Sequence, residues 1–241
     1  MAMPPRAFLT VLLLLCAAVP AAVAKELTAD EFMENVSSLL DTAPEPPEVT
    51  EAQVVELEEG DPETYIFVRG ARAHPPVPVN LGGDGRLSLL RADSRESLTA
   101  AYRRKDGSYD AAELARINRL LRCSRTGKEA DISVKLLEIL DAVEDGSGAR
   151  HLTVLSAYRT PRFNRSLRGA ARWSLHMLGW AADIRVPGRT PAEVADFAVR
   201  LAQGGVGHYA DAGFVHLDAG RRRSWTVRAK PRPAVKKKPS K

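Results

Sequence analysis

The sequence predicts an α+β fold in which a small central antiparallel sheet is flanked by helices. Apolar residues recur with helical spacing in three segments between residues 110 and 204. Apolar and polar residues alternate, as in half-buried strands, in HLTVLSAYR, WAADIRV and GFVHLD. The two kinds of segment do not follow one another in a regular strand-helix-strand order, which favours the α+β class over a parallel α/β sheet.

The first 24 residues are typical of a secretory signal peptide. Arg6 is their only charge, residues 7–19 are almost wholly apolar, and Ala22-Val23-Ala24 matches an A-x-A cleavage site. An uncleaved anchor is the alternative, because residues 7–24 approach the length of a membrane span. Pro20 and its small neighbours favour cleavage. We therefore expect an exported protein, located in the periplasm or cell envelope.

Residues 25–85 predict an acidic N-terminal region with a short helix, a linker and strands of uncertain bounds. Thr28 and Glu31 form a capping box before an amphipathic helix at 29–41. The stretch TAPEPPEVTEAQ has the composition of a linker, and TYIFV is a possible strand. Acidic residues outnumber lysine 13 to one between Lys25 and Glu63, so this region is strongly negative.

The remaining charge is positive. Residues 228–241 hold seven Lys or Arg and no acid, which predicts a basic disordered tail, and the whole chain has a net charge of +5. A basic body suits an anionic polymer as partner, and export favours wall polymer or lipid over nucleic acid. Nucleic acid is also disfavoured because the basic stretches lack interleaved aromatic residues.

Residues 86–227 predict one folded domain. In chain order, it contains two strands around a turn at 93–95, a helix capped by Asp110, a helix at 131–143, a strand in HLTVLSAYR, a helix begun by the capping box Thr190–Glu193, and a final strand in GFVHLD.

Three polar residues of this domain could hold a metal. Six residues separate His176 from Asp183, too many for ligands on adjacent helical turns, but suited to a loop histidine that folds over a strand aspartate. If GFVHLD lies beside that strand, His216 faces Asp183. Two histidines and one carboxylate are the ligand set of a catalytic zinc site. The spacing alone also fits an ordinary turn into a sheet.

The surrounding sequence adds a family resemblance. Three stretches, SAYRTPRFN, SLHMLGWAADIRVPG and GGVGHYADAGFVHLDAGRRRSW, resemble the zinc D-Ala-D-Ala carboxypeptidase-like peptidases, most closely their YcbK/MepK-type murein endopeptidase branch. The signature S-x-H-x-x-G-x-A-x-D runs from Ser174 to Asp183, and F-V-H-x-D runs from Phe214 to Asp218. With INRLLRCSRTG upstream, the resemblance covers about residues 86–227.

The resemblance implies the hedgehog/D-Ala-D-Ala-peptidase-like zinc fold, with one Zn²⁺ per chain held by His176, Asp183 and His216. It implies hydrolysis of amide bonds in peptidoglycan stems or crosslinks, with endopeptidase cleavage favoured over carboxypeptidase trimming. Arg159 corresponds to the arginine that meets the scissile carbonyl or a substrate carboxylate, and a guanidinium suits a developing oxyanion. Ser174 either contacts the substrate or shapes the loop before His176.

The general base is the point at which the match is incomplete. Many relatives carry Glu three residues before the last histidine, where this chain has Gly213. Asp218 is the nearest candidate for a catalytic role, since it shares a strand face with His216. Alternatively, its carboxylate orients His216 or pairs with Arg223.

The sequence is also compatible with a rival function. The chain could be a catalytically silent zinc module that binds the cell wall, because the fold alone does not determine activity. The intact set of Arg159 and the three metal-ligand candidates favours the enzyme, since a binding module has no need of Arg159 beside the metal.

Overall fold

A computed structural model of the protein describes residues 61–228, which form one seven-stranded sheet with helices around it. The elements are α1 (Pro62–Arg72), β1 (Leu87–Arg91), β2 (Ser97–Ala100), α2 (Ala111–Leu120), α3 (Val134–Ser147), β3 (Leu152–Ser156), α4 (Pro161–Ser166), a 3₁₀ helix (Leu175–Leu178), β4 (Ala181–Arg185), α5 (Pro191–Arg200), β5 (Gly205–Tyr209), β6 (Phe214–Asp218) and β7 (Arg223–Val227). The predicted signal peptide, the helix at 29–41, the linker that follows it and residues 229–241 of the predicted tail lie outside the described residues. No helix within residues 61–228 is long and apolar enough to cross a membrane.

The α+β class is confirmed, but the prediction of a small antiparallel sheet is wrong. The strand order is β2-β1-β3-β4-β6-β5-β7. The central pairs β3–β4 and β4–β6 are antiparallel, whereas β1–β3 and β5–β7 are parallel. The sheet is therefore mixed and wider than expected. The alternation of residues along a strand indicates which side chains lie on each face of the sheet. It does not indicate whether the neighbouring strand runs parallel or antiparallel.

Helix α1 corrects the sequence-based interpretation of TYIFV as a strand. Asp61 caps the helix, because its Oδ1 accepts a hydrogen bond from the Thr64 backbone nitrogen at 2.8 Å. Pro62 occupies the first helical turn, where a missing N–H has no cost. Thr64, Tyr65 and Val68 are buried, which is helical rather than alternating spacing. The cap and the proline outweigh the strand propensity of the aromatic and β-branched residues.

Most predicted boundaries between residues 86 and 227 are confirmed. β1 and β2 form an antiparallel hairpin around a turn in which Arg95 has a φ of 62°. Asp110 caps α2, and the Thr190–Glu193 capping box begins α5. Helix α3 begins at Val134 and continues to Ser147, beyond the predicted end at residue 143, and the left-handed Gly148 ends it.

Helices α3 and α5 cover one face of the sheet. The core contains Leu140 of α3 and Val194 of α5 together with Ile184 and Leu217, which point to this face from β4 and β6. The two helices pack closely, since a Cβ atom on Gly146 would lie 2.1 Å from the Phe197 ring. Side chains alternate along a strand, so the opposite face of β4 and β6 carries the polar residues.

Candidate active site

The polar face of the two central strands carries two of the predicted ligands. Asp183 of β4 and His216 of β6 are directly opposite each other in the antiparallel register. Directly opposed residues point to the same face with Cβ atoms roughly 5 Å apart. Their side chains meet here, since the Asp183 Oδ1 lies 2.9 Å from the His216 Nδ1.

His176 reaches the same point from the 3₁₀ helix. Ser174 caps this helix, and Gly179 ends it with a φ of 71°. A Cβ atom at Gly179 would lie 2.5 Å from the Asp131 carbonyl oxygen, so both the conformation and the close approach require glycine. This turn directs the His176 ring over the sheet, where its Nε2 lies 3.3 Å from the Asp183 Oδ1.

The three candidate ligand atoms form a nearly equilateral triangle. The edges are 2.9 Å and 3.3 Å from the Asp183 Oδ1 to the two histidines, and 3.2 Å between the His176 Nε2 and the His216 Nδ1. Ligand atoms about 2.0–2.1 Å from a tetrahedral zinc are separated by about 3.3–3.4 Å. The residues therefore fit a zinc ion with three protein ligands.

Each histidine is held through its other ring nitrogen. The His176 Nδ1 lies 2.6 Å from the Ala157 carbonyl oxygen, to which it donates. The His216 Nε2 lies 3.2 Å from the Asp218 Oδ2. Such outer contacts fix the tautomer and the ring orientation of metal-binding histidines. Both rings therefore present a lone pair to the centre of the triangle.

The surroundings of the site favour an ionised Asp183 and a neutral His176. Burial alone would raise the pKa of Asp183, but His176 and His216 outweigh it and hold that pKa below its usual value. Burial lowers the pKa of His176. A carboxylate and an unprotonated imidazole are the forms that bind a metal.

Arg159 lies beside the triangle, just after β3. One of its nitrogens forms an ion pair with the Asp183 Oδ2, and its Nε donates to the Ser156 Oγ at 2.8 Å. The Arg159 backbone nitrogen also donates to the His176 carbonyl oxygen at 3.1 Å. The guanidinium is thus fixed from two sides. It lies next to the Asp183 Oδ2, whereas the Oδ1 of the same carboxylate faces the histidines.

Asp218 is fully buried behind His216. Besides His216, its carboxylate accepts hydrogen bonds from the backbone nitrogens of Gly205 at 3.0 Å and Gly220 at 2.8 Å. Arg223 adds contacts of 3.1 Å and 2.7 Å from its two terminal nitrogens. Both carboxylate oxygens are occupied within the protein.

Glycines on β5 make room for this arrangement. Gly205 lies between Asp218 and Arg223 in the sheet, and Gly207 lies between His216 and Trp225. A Cβ atom at Gly205 would be 2.3 Å from the Asp218 Oδ2, and one at Gly207 would be 2.6 Å from the Trp225 ring. Side chains of β7 can therefore reach across β5 to residues of β6.

The triangle opens into a groove of about 360 Å³. The residues that line it are Arg159, Leu167, Arg168, Gly169, Ala170, Ala171, Trp173, Ser174, Leu175, His176, Asp183, Tyr209, Phe214, His216, Arg223 and Trp225. Asp183 is the only carboxylate among these described residues, whereas three are arginines. The groove therefore suits a substrate that carries carboxylates.

Comparison with known proteins agrees with this geometry. A family model described as peptidoglycan L,D-endopeptidase MepK matches residues 83–225. The chain belongs to this family. The chain is 32% identical over 145 residues to peptidoglycan L,D-endopeptidase MepK of Escherichia coli (strain K12), an alignment that covers 58% of this chain and 79% of the relative. It is 29% identical over 145 residues to the probable enzyme of Haemophilus influenzae, of which 77% is covered. None of the solved structures searched matches the chain.

Membership of the MepK family confirms the resemblance drawn from the motifs, and with it the prediction of a peptidoglycan peptidase of the endopeptidase kind. Zinc dependence is general in this peptidase family, in agreement with the donor set of His176, Asp183 and His216. Residues 61–82, which include α1, precede the matched segment.

The structure brings five of the six predicted site residues into direct contact, as described above for Arg159, His176, Asp183, His216 and Asp218. Ser174 lies at the edge of the groove, where its Oγ accepts a hydrogen bond from the His176 backbone nitrogen at 3.4 Å. Gly213, at the position where many relatives carry glutamate, lies in the turn before β6 with a φ of 69°.

Sequence reasoning did not single out Tyr209, which lines the groove and stacks on Phe214 with ring centroids 4.4 Å apart. Trp173 also lines the groove, and it is 43% exposed. The alternating glycines at 205 and 207 were the available sign that side chains cross over β5.

Proposed function

We propose that this protein is an exported, zinc-dependent peptidoglycan endopeptidase that hydrolyses an L,D-amide bond in the crosslinks between stem peptides. The observation that carries the proposal is the triangle of His176, Asp183 and His216 at the base of a basic groove, with Arg159 beside it. The L,D-specificity is taken from the names of the relatives. Export is taken from the predicted signal peptide, and it fits a substrate that lies outside the cytoplasm.

His176 and His216 would bind one zinc ion through Nε2 and Nδ1, and Asp183 through Oδ1. A bound zinc ion would act as a Lewis acid on the carbonyl of the scissile amide, and it would lower the pKa of water at the site to about 7. The contacts of Ala157 and Asp218 keep the two imidazoles in the tautomers that this binding needs.

Arg159 would stabilise the negative charge that develops on the amide oxygen during attack. Its guanidinium lines the groove and is held by Asp183 and Ser156, so little reorganisation is needed at the moment of reaction. Its planar donors can also accept a carboxylate of the peptide in the ground state. Ser174, at the same edge of the groove, would contact the substrate backbone.

Asp218 acts in this proposal through His216 and not as the general base. Its burial and its four partners leave no oxygen directed at the groove. Of the two roles that the sequence left open for Asp218, these contacts favour the orientation of His216.

We also propose that the basic tail attaches the enzyme to the cell envelope. Residues 228–241 would hold the enzyme to anionic wall polymer or lipid through unspecific electrostatic attraction. This attraction is separate from the cleavage chemistry of the groove.

The decisive experiment is incubation of the purified protein with defined crosslinked and uncrosslinked muropeptides, with and without a chelator, followed by mass analysis of the products. We expect chelator-sensitive cleavage of an L,D-crosslink, lost in His216→Ala and kept in His151→Ala, a histidine outside the groove. A protein that holds one zinc and cleaves none of these substrates would instead support the wall-binding module.

A further inference from the structure

One wall of the groove is an exposed segment, residues 167–173, which we call the outer wall. It joins α4 to the 3₁₀ helix, and every member except Arg172 lines the groove. Few hydrogen bonds hold it from within. Inside the segment the Ala170 nitrogen donates to the Leu167 carbonyl oxygen at 3.3 Å. Asn164 of α4 adds two bonds: its carbonyl oxygen accepts from the Leu167 nitrogen at 3.2 Å, and its side chain donates to the Ala171 carbonyl oxygen at 2.9 Å. Its position must therefore depend on contacts with other elements.

Helix α1 supplies the aromatic contact to the outer wall. The Phe67 ring packs against the Trp173 indole with centroids 5.3 Å apart and planes tilted by 47°. The Arg172 guanidinium lies 4.7 Å from the same indole. Trp173 is thus held by Phe67 and Arg172, yet 43% of it stays exposed, and it lines the groove.

Two ion pairs join the start of α1 to the same region. The Asp61 Oδ2 lies 3.1 Å from an Arg165 nitrogen, and Glu63 pairs with Arg172. Both pairs are exposed, so each contributes little free energy. The two ion pairs instead orient α1, because they place its N-terminal end beside the outer wall and bring Phe67 to Trp173.

The inner face of α1 is anchored independently. Thr64, Tyr65 and Val68 are buried, and the helix contacts the 3₁₀ helix that carries His176. A helix fixed on this side and in contact with the outer wall on the other can transmit its position to Trp173.

We propose that α1 is a clamp that positions the outer wall, chiefly through Phe67 on Trp173, and so sets the affinity of the groove for its peptide substrate. Phe67 is a positioning residue, since it does not line the groove. The part concerning substrate rests on the proposed endopeptidase function. The mechanical part, that α1 restrains residues 167–173, does not.

Limited proteolysis tests the mechanical part with the full chain. Trypsin can cut after Arg165, Arg168 and Arg172, within or beside the outer wall. We expect Phe67→Ala to accelerate these cuts by about two- to tenfold, the factor equivalent to one aromatic contact, because cleavage follows the open population. Ile66→Ala is the matched control, since Ile66 is the neighbouring residue and 67% exposed. Equal rates for the two variants would overturn the clamp.

Steady-state kinetics tests the functional part. Phe67→Ala should raise KM for the crosslinked muropeptide by about two- to tenfold with little change in kcat, and Phe67→Tyr should restore the original KM. A loss of kcat with unchanged KM would contradict a positioning role. If Phe67→Ala melts earlier than Ile66→Ala, Phe67→Leu, which keeps apolar volume on α1, takes its place in both assays.

The trypsin assay and the kinetic assay together distinguish a failure of the clamp from a failure of the endopeptidase proposal. A wild-type protein that cleaves no muropeptide would refute the endopeptidase proposal, and the trypsin comparison would still decide the clamp. A wild-type enzyme whose cleavage and trypsin sensitivity are the same in Phe67→Ala and Ile66→Ala would refute the clamp alone.

Discussion

Asp218 illustrates how the position of a single residue along a strand limits its chemistry. It lies two residues after His216 on β6 and therefore points to the same face. Its carboxylate is covered by Gly205, Gly220 and Arg223, and the side that remains is turned to the His216 ring. The residue is thus placed to hold an imidazole and not to reach a substrate.

We predict that Asp218→Asn weakens zinc binding by about 10- to 100-fold, because an amide holds the His216 tautomer less firmly than a carboxylate does. Zinc retained against a graded series of chelators measures this change, and cleavage measured with saturating zinc separates it from a catalytic defect. Asp196→Asn, an exposed carboxylate on α5, is the control. Unchanged zinc affinity with a lost acidic limb in the pH–rate profile would instead identify Asp218 as the base.

Asp93 makes a pH-dependent contribution at the β1–β2 turn. Its carboxylate accepts two hydrogen bonds from Arg91, at 2.9 Å and 2.8 Å, and these lower the pKa of Asp93 from 3.8 to about 2. The folded state therefore binds the proton less readily than the unfolded chain does. Stability from this pair is complete above about pH 4 and is lost as the pH falls through about 2.

We expect Asp93→Asn to lower the free energy of unfolding at neutral pH by less than about 1 kcal/mol, because solvent screens a carboxylate that is 45% exposed. Urea titrations at several pH values should show the difference between variant and wild type shrinking towards about pH 2. A difference that grows on acidification would contradict the assigned direction.

At the scale of elements, α3 carries an unusual set of buried acids. Glu138 and Asp141 have fully buried side chains, and Arg103 lies 2.9 Å from the first and 3.6 Å from the second. Tyr102 donates to Asp141 at 2.8 Å, and Tyr109 donates to Glu138 at 3.1 Å. Burial raises the pKa of Asp141. The arginine after β2 therefore ties α3 to the loop at 101–109.

We predict that Arg103→Ala lowers the free energy of unfolding by about 3–5 kcal/mol, since it leaves two buried carboxylates without their cation. The adjacent Arg104→Ala should cost about 0–1 kcal/mol, because its pair with Asp110 is at the surface. Urea unfolding of the two variants gives the comparison directly. Similar losses in both would mean that the buried acids are neutralised in some other way.

Some of the helices and strands could be predicted from the sequence, and others could not. Strands β4 and β6 were identified because each alternates and each carries a motif, and the candidate ligands His176, Asp183 and His216 were named from the same motifs. Helix α1 was missed because TYIFV has strand propensity and the Asp61-Pro62 start was overlooked. Strands β5 and β7 were missed because glycines interrupt the first and arginines open the second.

At the scale of the whole molecule, the pairing of strands that are distant in sequence could not be predicted from local sequence patterns. β1 pairs in parallel with β3 across about 60 intervening residues, and β7 joins the sheet beyond β5 instead of beside β6. These choices depend on how α3 and α5 cover one face, a property of no single segment. The partners of Asp218 and the packing of Trp225 follow from that topology, so they became visible only in three dimensions.

The uneven charge of the molecule leads to a prediction about its basic tail. Deletion of residues 229–241 should weaken retention on isolated cell walls at low ionic strength and leave cleavage of soluble muropeptides unchanged, because screened electrostatic attraction acts outside the groove. Sedimentation with cell walls over a salt series measures the first, and product mass measures the second. Retention that is insensitive to both salt and deletion would exclude this role.

The crossing of β7 side chains over the β5 glycines has a consequence for the timing of activity. Arg223 and Trp225 come after every other residue of the site along the chain, and they complete the support behind Asp218 and His216. If the chain is exported from its N-terminus, as proposed, β1 to β4 emerge before these residues. The support of the candidate metal site would then be completed last, and hydrolytic capacity would belong only to a molecule whose translocation has reached its final strand.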